Sequence, residues 1–241
     1  TLRVKGGGGE ADKYAGSIGF VSGKPDFFGC AITAPEGAYW KGFESEGSTY
    51  YTLFCKEGDE EKSVTDWVTI GPAYDLRIAG RPVTPVNCGD LAAAIPGVEG
   101  TVKYDPTTKT LTLQDATIHT TGEGIPGIRT WMGMNIQLLG TNSIASENGC
   151  GIFNDNYSDL TIKGEGSLVV KGATTGDKES QVAIKNRGYI TVSGCTVEAS
   201  AGVSGLAGGV WTFDHCTLRA KGDGSEADKY AGSISYVSGK P

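Results

Sequence analysis

The opening segment of the chain returns almost unchanged at its other end. Residues 1–25 read TLRVKGGGGEADKYAGSIGFVSGKP and residues 217–241 read TLRAKGDGSEADKYAGSISYVSGKP, aligning without a gap. The substitutions are Val4/Ala220, Gly7/Asp223, Gly9/Ser225, Gly19/Ser235 and Phe20/Tyr236. Self-similarity at a fixed period is the mark of a repeat architecture. The offset from Thr1 to Thr217 predicts a tandem array of units of that length, cut here in mid-repeat. Residues 1–72 would hold the last coil of one repeat and an inter-unit segment. Residues 73–241 would hold the cap and coils of the next, with Pro72 at the boundary.

Between the copies a shorter pattern recurs, an apolar residue, usually Thr, then an apolar residue. It appears as Leu111-Thr112-Leu113, Ile136-Gln137-Leu138, Leu160-Thr161-Ile162, Ile190-Thr191-Val192, Trp211-Thr212-Phe213 and Ile234-Ser235-Tyr236, at nearly regular steps. Alternation of this kind marks a strand with one buried face. In the first five coils a second strand enters shortly after the first, at Ile118, Ile144, Leu168, Val197 and Leu218, and turn glycines lie between the two. The pattern predicts an all-β protein, a right-handed parallel β-helix of about six coils of roughly 21–30 residues, with a small capping and hairpin segment. A β-sandwich is the competing architecture. The 38 glycines, about twice the usual roughly 7% share, suit regularly spaced turns.

Residues 34–72 break the coil pattern, with a charged turn at 57–62 and a strand expected over 63–70. After Pro72 the expectations are a strand over 74–83 turning at Gly80, and a short helix over 87–95 capped by Asn87 or Asp90. A β-hairpin should follow, joining 101–104 to 110–113 and closing the apolar end of the helix.

The net charge of −7 argues against nucleic acid, whose phosphates need clustered Lys and Arg. No apolar run reaches the roughly 20 residues of a membrane helix. Six cysteines stand without a C-x-x-C pair, which disfavours a zinc or redox motif. Cys30, Cys195 and Cys216 share a local context and are expected as a stacked row of thiols, with disulfides the alternative and a Cys55–Cys88 link left open.

No catalytic constellation stands out. The only histidines are His119, expected on the surface, and His215, expected in a turn beside Asp214 and Cys216. Outward acids such as Asp115, Glu165 and Asp214 are the nearest thing to a glycosidase pair, with no reason for one pKa to differ from another. No Lys/Arg row is apparent along the coils to neutralise a uronate, so a lyase is disfavoured as well.

Aromatic residues offer better candidates for a ligand site. Trp211 falls on an inward position, whereas Trp131 lies outside the coil motif and suits stacking on a sugar ring. Tyr39, Trp40, Tyr50 and Tyr51 are alternatives, with sealing of the junction between units as their structural role. Residues 154–159, Asn-Asp-Asn-Tyr-Ser-Asp, form an oxygen-rich loop in which Asn154, Asp155 and Asp159 would be calcium ligands; a plain Asx turn is the other reading.

The stretches Tyr74-Asp75-Leu76-Arg77-Ile78-Ala79-Gly80, Val83-Thr84, Gly100-Thr101-Val102-Lys103-Tyr104-Asp105-Pro106 and Thr110-Leu111-Thr112-Leu113 resemble the opening of β-helical domains in large surface proteins of gut anaerobes. These are often described as carbohydrate-binding domain-containing proteins. Leu160-Thr161-Ile162-Lys163-Gly164-Glu165-Gly166-Ser167-Leu168 is similar to their later coils, so the resemblance spans about residues 74–220. It implies a β-helical surface module, some of whose relatives bind plant-type polysaccharides with calcium on the helix. With no catalytic constellation in the chain, the expected function is a non-catalytic extracellular adhesion or glycan-binding module for polysaccharide or a host cell-surface glycan. A structural stalk is the first alternative and a polysaccharide-cleaving enzyme the second. The repeat further predicts end-to-end self-association through the two copies.

Overall fold

The computed structural model describes residues 1–6, 16–223 and 231–238, which form two compact units. One unit comprises Thr1–Tyr74 with Thr84–Val86, and the other Asp75–Val83 with Asn87–Pro241.

The first unit is antiparallel. Its strands are β1 (Leu2–Val4), β2 (Val21–Ser22), β3 (Cys30–Ala34), β4 (Tyr39–Ser45), β5 (Ser48–Glu57), β6 (Glu60–Ser63) and β7 (Val68–Pro72). They make one sheet in the order β1-β7-β3 and another in the order β2-β5-β4, with β6 also on β5. The β4–β5 hairpin turns at Glu46 and Gly47, both at positive φ, the backbone that matches strand twist in a two-residue turn. Leu53, Val64 and Val68 form the core, with Ile18, Ile32, Trp40 and Ile70 packed on it. The strand expected over 63–70 is interrupted: β6 ends at Ser63 and β7 begins at Val68. Cys30 lies in this antiparallel sheet and so leaves the expected thiol row. All six cysteines are free.

The second unit opens with β8 (Leu76–Ile78) and β9 (Arg81–Pro82), a small hairpin turning at Ala79 and Gly80. Helix α1 (Leu91–Ala94) follows, and Asp90 caps it by accepting from the Ala93 N–H. Next, β10 (Val98–Asp105) pairs antiparallel with β11 (Thr110–Thr120), the expected hairpin.

From β11 onward the chain is a parallel β-helix of five coils, each with three stations. Coil one is β11, used twice, and β12 (Ile128–Thr130). Coil two is β13 (Met134–Leu139), β14 (Thr141–Ser146) and β15 (Ile152–Asn154). Coil three is β16 (Asp159–Gly164), β17 (Ser167–Lys171) and β18 (Val182–Asn186). Coil four is β19 (Tyr189–Ser193), β20 (Thr196–Ala201) and β21 (Ser204–Ala207). Coil five is β22 (Val210–Asp214), β23 (Thr217–Gly222) and β24 (Gly232–Ser235). The three ladders run β11-β13-β16-β19-β22, β11-β14-β17-β20-β23 and β12-β15-β18-β21-β24, and β8 closes the third in antiparallel fashion.

Two details differ from the pattern in the sequence. Ile234 does not open a sixth coil: it pairs with Leu206 as the third strand of coil five. The Thr-centred motifs also slip by two positions. Leu111 stacks on Ile136, but Ile136 stacks on Ile162 and Ile162 on Val192. A slip of two keeps every inward side chain inward, so burial does not oppose it.

The third ladder, whose strands the sequence pattern did not place, carries a buried polar spine. Thr130, Asn154 and Asn186 share one inward column and are buried. Asn154 Nδ2 donates to Asn186 Oδ1 at 3.0 Å, and Asn186 Nδ2 donates to the Gly188 and Val210 carbonyls. Asn142 does the same for the second ladder, accepting from the Ala116 N–H and donating to Leu139 and Ser167. A buried amide is stable only when its hydrogen-bonding groups find partners, and the stacked coils supply them. Entry to this ladder is tight. A Cβ on Gly151 would collide with Val170 and with the Ala183 carbonyl.

Candidate functional site

Alternation along the third ladder sends Leu76, Ile78, Ile128, Thr130, Ile152, Asn154, Ile184 and Asn186 inward. Their neighbours point out. Arg77 pairs with Arg129, Arg129 with Phe153, and Phe153 with Lys185, giving one outward column with a repeat of about 4.8 Å. Two positions on, Trp131, Asp155 and Arg187 continue each strand, held by backbone bonds to Asp75, Thr130 and Asn154. The result is a two-column grid on one face of the β-helix.

Its electrostatics are built from cation–π contacts and ion pairs. The Arg129 guanidinium lies 4.6 Å from the Trp131 ring centre and 5.3 Å from that of Phe153. Arg77 lies 5.9 Å from Trp131. Lys185 and Arg187 lie 5.1 and 5.2 Å from Phe153, so three cations surround one buried ring. Asp155, with a side chain only 4% exposed, accepts from Arg129 Nε at 2.9 Å and from Arg187 at 2.7 Å. Lys185 pairs with Glu179 at 2.9 Å, and that contact holds the Glu179 carboxyl below its usual range. Crowding by its surroundings, then the charge of Arg129, pulls the pKa of Arg77 down. With Asp75 opposite Trp131 in the second column, four cations (Arg77, Arg129, Lys185, Arg187) against three carboxylates (Asp75, Asp155, Glu179) leave a small local positive excess on a chain of net charge −7.

The sequence suggested no basic row along the coils, and the structure corrects this. Arg77, Arg129 and Lys185 lie far apart in sequence, and only strand register aligns them. A signal was present in Gly127-Ile128-Arg129-Thr130, Gly151-Ile152-Phe153-Asn154 and Ala183-Ile184-Lys185-Asn186, a small-Ile-x-Thr/Asn repeat. Tyr157, 85% exposed, adds an aromatic that the sequence did not single out. Its neighbour Asn156 donates to the Trp131 carbonyl, which ties the 154–159 loop to this face.

That loop does not fit calcium. Asn154 is buried in the amide spine, its Nδ2 used by Asn186 and Ser158 and its Oδ1 by the Ser158 hydroxyl. Asp155 is neutralised by two arginines. Asp159 is exposed at the start of β16. Among the described residues no group of three or more His, Cys, Asp or Glu side chains is placed to hold a metal ion.

The four aromatics of the first unit do not form one platform, because neighbours in a strand face opposite ways. Tyr39 and Tyr50 share a face with Phe43 and Phe54, and Tyr50 stacks on Phe20 with ring centres 4.1 Å apart. Trp40 packs on the core, and Tyr51 shares its face. Burial, then the nearby Glu61 carboxylate, pushes the Tyr39 hydroxyl up to about 12.

His215 and Ser193 both bond Asp214. In a triad the nucleophile bonds the histidine, which is not the arrangement here. These contacts hold the Asp214 carboxyl below its usual range, the wrong direction for a general acid. Asp115, Glu165 and Asp214 fall on coils one, three and five, spaced about 10 Å apart along the axis at two coil steps each. His119 is partly exposed and pairs with Glu147 at 3.1 Å, and Trp211 is buried as expected. Comparison with known proteins adds no constraint: no family model, curated protein or solved structure matches the chain. Among the described residues no helix is long and apolar enough to cross a membrane.

Proposed function

We propose that the chain is a non-catalytic glycan-binding module of an extracellular, tandem-repeat adhesion protein, and that the grid around Trp131 is its binding face. One observation carries the reading: a half-buried indole flanked by Arg129 and Arg77 on a face whose local charge is opposite to that of the whole chain. An indole offers a sugar ring an apolar, polarisable stacking surface, and guanidinium groups offer a carboxylate or sulfate paired donors. Carboxylate-bearing polysaccharides are therefore the favoured ligands over neutral ones. Repetition of the unit would raise avidity without any new contact.

The test is a glycan array on the folded chain, followed by titration with Trp131→Ala and Arg77→Ala. Binding to an acidic polysaccharide class, weakened about five- to twelvefold by Trp131→Ala, supports the reading, since loss of a stacking contact costs about 1–1.5 kcal/mol. Chelator should leave binding unchanged, because Asp155 is already neutralised. A folded chain silent on every glycan would favour a structural spacer.

A further inference from the structure

The two copies of the terminal repeat are nearly identical in sequence but lie in different surroundings. Leu2–Val4 pairs antiparallel with β7 and is the outer strand of its sheet. Its counterpart in β23 pairs parallel with β20 and is the outer strand of the β-helix. Each copy shows a different half of one strand's hydrogen-bonding capacity.

The edges are compatible. The Thr217 N–H donates to the Cys195 carbonyl, so alternation turns Thr217, Arg219 and Lys221 toward β20 and Leu218 and Ala220 toward the open edge. In the first unit the Ala73 N–H donates to Gly29, so Gly71 and Ala73 face β3 while Val68 and Ile70 face β1. Leu2 and Val4, opposite Ile70 and Val68, therefore use the very groups that, among the described residues, stay open on Leu218 and Ala220. Side chains agree as well. Leu218 and Ala220 are the partly buried, core-facing positions of β23, whereas Arg219 is exposed. Val68 and Ile70 lie on the face of Leu2 and Val4 and belong to the first unit's core.

The other contacts of the first copy are preserved in the residues of the second. Arg3 lies 4.7 Å from the Trp67 ring centre and Lys5 pairs with Asp66 at 3.3 Å; the counterparts are Arg219 and Lys221. Ser17 donates its N–H to Val64 and its hydroxyl to the Asp66 carbonyl; its counterpart is Ser233. Phe20, stacked on Tyr50, has Tyr236 as its counterpart, and both adopt φ of 54°. Tyr236 is 74% exposed and Ile234 is 51% exposed.

We propose that the open edge of coil five is a docking site for the antiparallel unit, residues 26–72, of a second copy of this chain. Val68–Ile70 of the second copy pairs antiparallel with Leu218–Ala220 just as it pairs with its own Leu2–Val4. Docking is thus a strand exchange, in which the second copy's β1 and β2 yield to β23 and the segment after β24. The cores of the β-helix and of the docked unit then become continuous, and an exposed strand edge is covered. This proposal is independent of the glycan-binding reading.

Sedimentation velocity tests it on the 241-residue chain. In the unaltered chain β1 is tethered beside β7 and competes at high effective concentration, so monomer should dominate. Val4→Pro removes a β1 N–H that faces β7 and should produce concentration-dependent dimers and longer species. Adding Ala220→Pro should return it to monomer. Dimers that survive Ala220→Pro, or a Val4→Pro chain that stays monomeric at every concentration, overturn the proposal. A second measurement leaves β1 intact, in case Val4→Pro disturbs folding. Thr69 and Arg219 would face each other as a non-hydrogen-bonded pair, about 4.5 Å between Cα atoms, within disulfide range. Mixing a Thr69→Cys chain with an Arg219→Cys chain under mild oxidant should trap a crosslinked dimer above the background of the six native thiols. Thr69→Cys with Lys221→Cys should not. No crosslink at 219, or equal crosslinking at 221, overturns the proposed register.

Discussion

The two units bury their cores by opposite means. In the antiparallel unit, pairing is set locally: Glu46 and Gly47 fix the register of β4 against β5, and a few side chains around Leu53 complete the core. In the β-helix every strand pairs with one a full coil away in sequence, and no turn dictates which. Register there comes from the inside, from columns such as Ile78-Ile128-Ile152-Ile184-Leu206 and from the amide spine beside them. Short-range turns suffice where partners are neighbours in sequence. Buried hydrogen bonds impose alignment where they are not, because an amide one step out of register loses its partners.

The comparison predicts separable unfolding, and large-to-small core changes are the strongest way to break it. Leu53→Ala and Ile162→Ala each remove a fully buried side chain and should each cost about 2–5 kcal/mol. Each should lower the stability of its own unit. Trp40 and Trp67 report on the first unit, Trp131 and Trp211 on the second, so single-Trp versions of each variant followed in denaturant distinguish the two. One merged transition shifted equally by either substitution would show that the units fold as one.

Next in size is the spine itself. Asn186→Leu keeps the branched shape but leaves one hydrogen of Asn154 Nδ2 and the Gly188 N–H without their buried acceptor, at about 1–3 kcal/mol each. The second unit's midpoint should fall and the first unit's should not. Exchange of the amide protons of β15 and β18 should quicken more than that of β14 and β17. Uniform quickening would mean that the spine adds only bulk.

Alkaline pH sharpens the contrast. Burial pushes the Cys150 thiol up from 9.0 to about 11, with nearby charges adding smaller effects. The folded state therefore holds this proton more tightly than the unfolded one. Its stability contribution is present below pH 9 and is lost as pH rises from 9 to 11, at most about 3 kcal/mol. Tyr39 shifts in the same sense, from 10.0 to about 12, so the first unit should weaken later. Denaturant midpoints from pH 8 to 11 should fall first for the second unit. Cys150→Ser, whose hydroxyl does not titrate in this range, should flatten that fall. A first unit that weakens earlier would contradict the assigned causes.

How much of this was legible in the sequence follows from where the information lies. The β-helix was legible because the apolar-Thr-apolar motif repeats within single strands. The hairpin joining 101–104 to 110–113 and a helix cap at Asn87 or Asp90 were legible because both are local. The helix itself is shorter than the expected 87–95, Leu91–Ala94 with Asp90 as its cap. The coil count was overstated by one because Ile234-Ser235-Tyr236 imitates the motif from a different ladder. The strands of the third ladder were not located because they are short and three of them carry an Asn or Thr where an apolar residue is expected. Missing it hid the basic grid, since Arg77 meets Arg129 across the whole capping segment and Arg129 meets Lys185 only through Phe153. Of the candidate ligand residues, Trp131 falls within that grid. Tyr39, Trp40, Tyr50 and Tyr51 divide between two faces of another sheet, which a list of aromatics does not reveal.

The smallest expected effect returns to the duplicated strand. Arg3 and Arg219 are the same residue in two surroundings: one lies over Trp67, the other pairs with Glu198 at 3.0 Å on the surface. A cation–π contact at an exposed site is worth about 0.5–1 kcal/mol, whereas an exposed ion pair is worth about 0–1 kcal/mol and is screened by salt. Arg3→Ala should therefore destabilise the first unit by about 0.5–1 kcal/mol, with a coupling to Trp67→Leu of similar size in a double-mutant cycle. Arg219→Ala should cost less, and its cost should vanish at about 1 M salt, where the screening length falls to about 3 Å. Equal, salt-sensitive costs at both positions would mean that Trp67 contributes no ring contact, and would remove one of the contacts expected to carry over when a second copy docks on coil five.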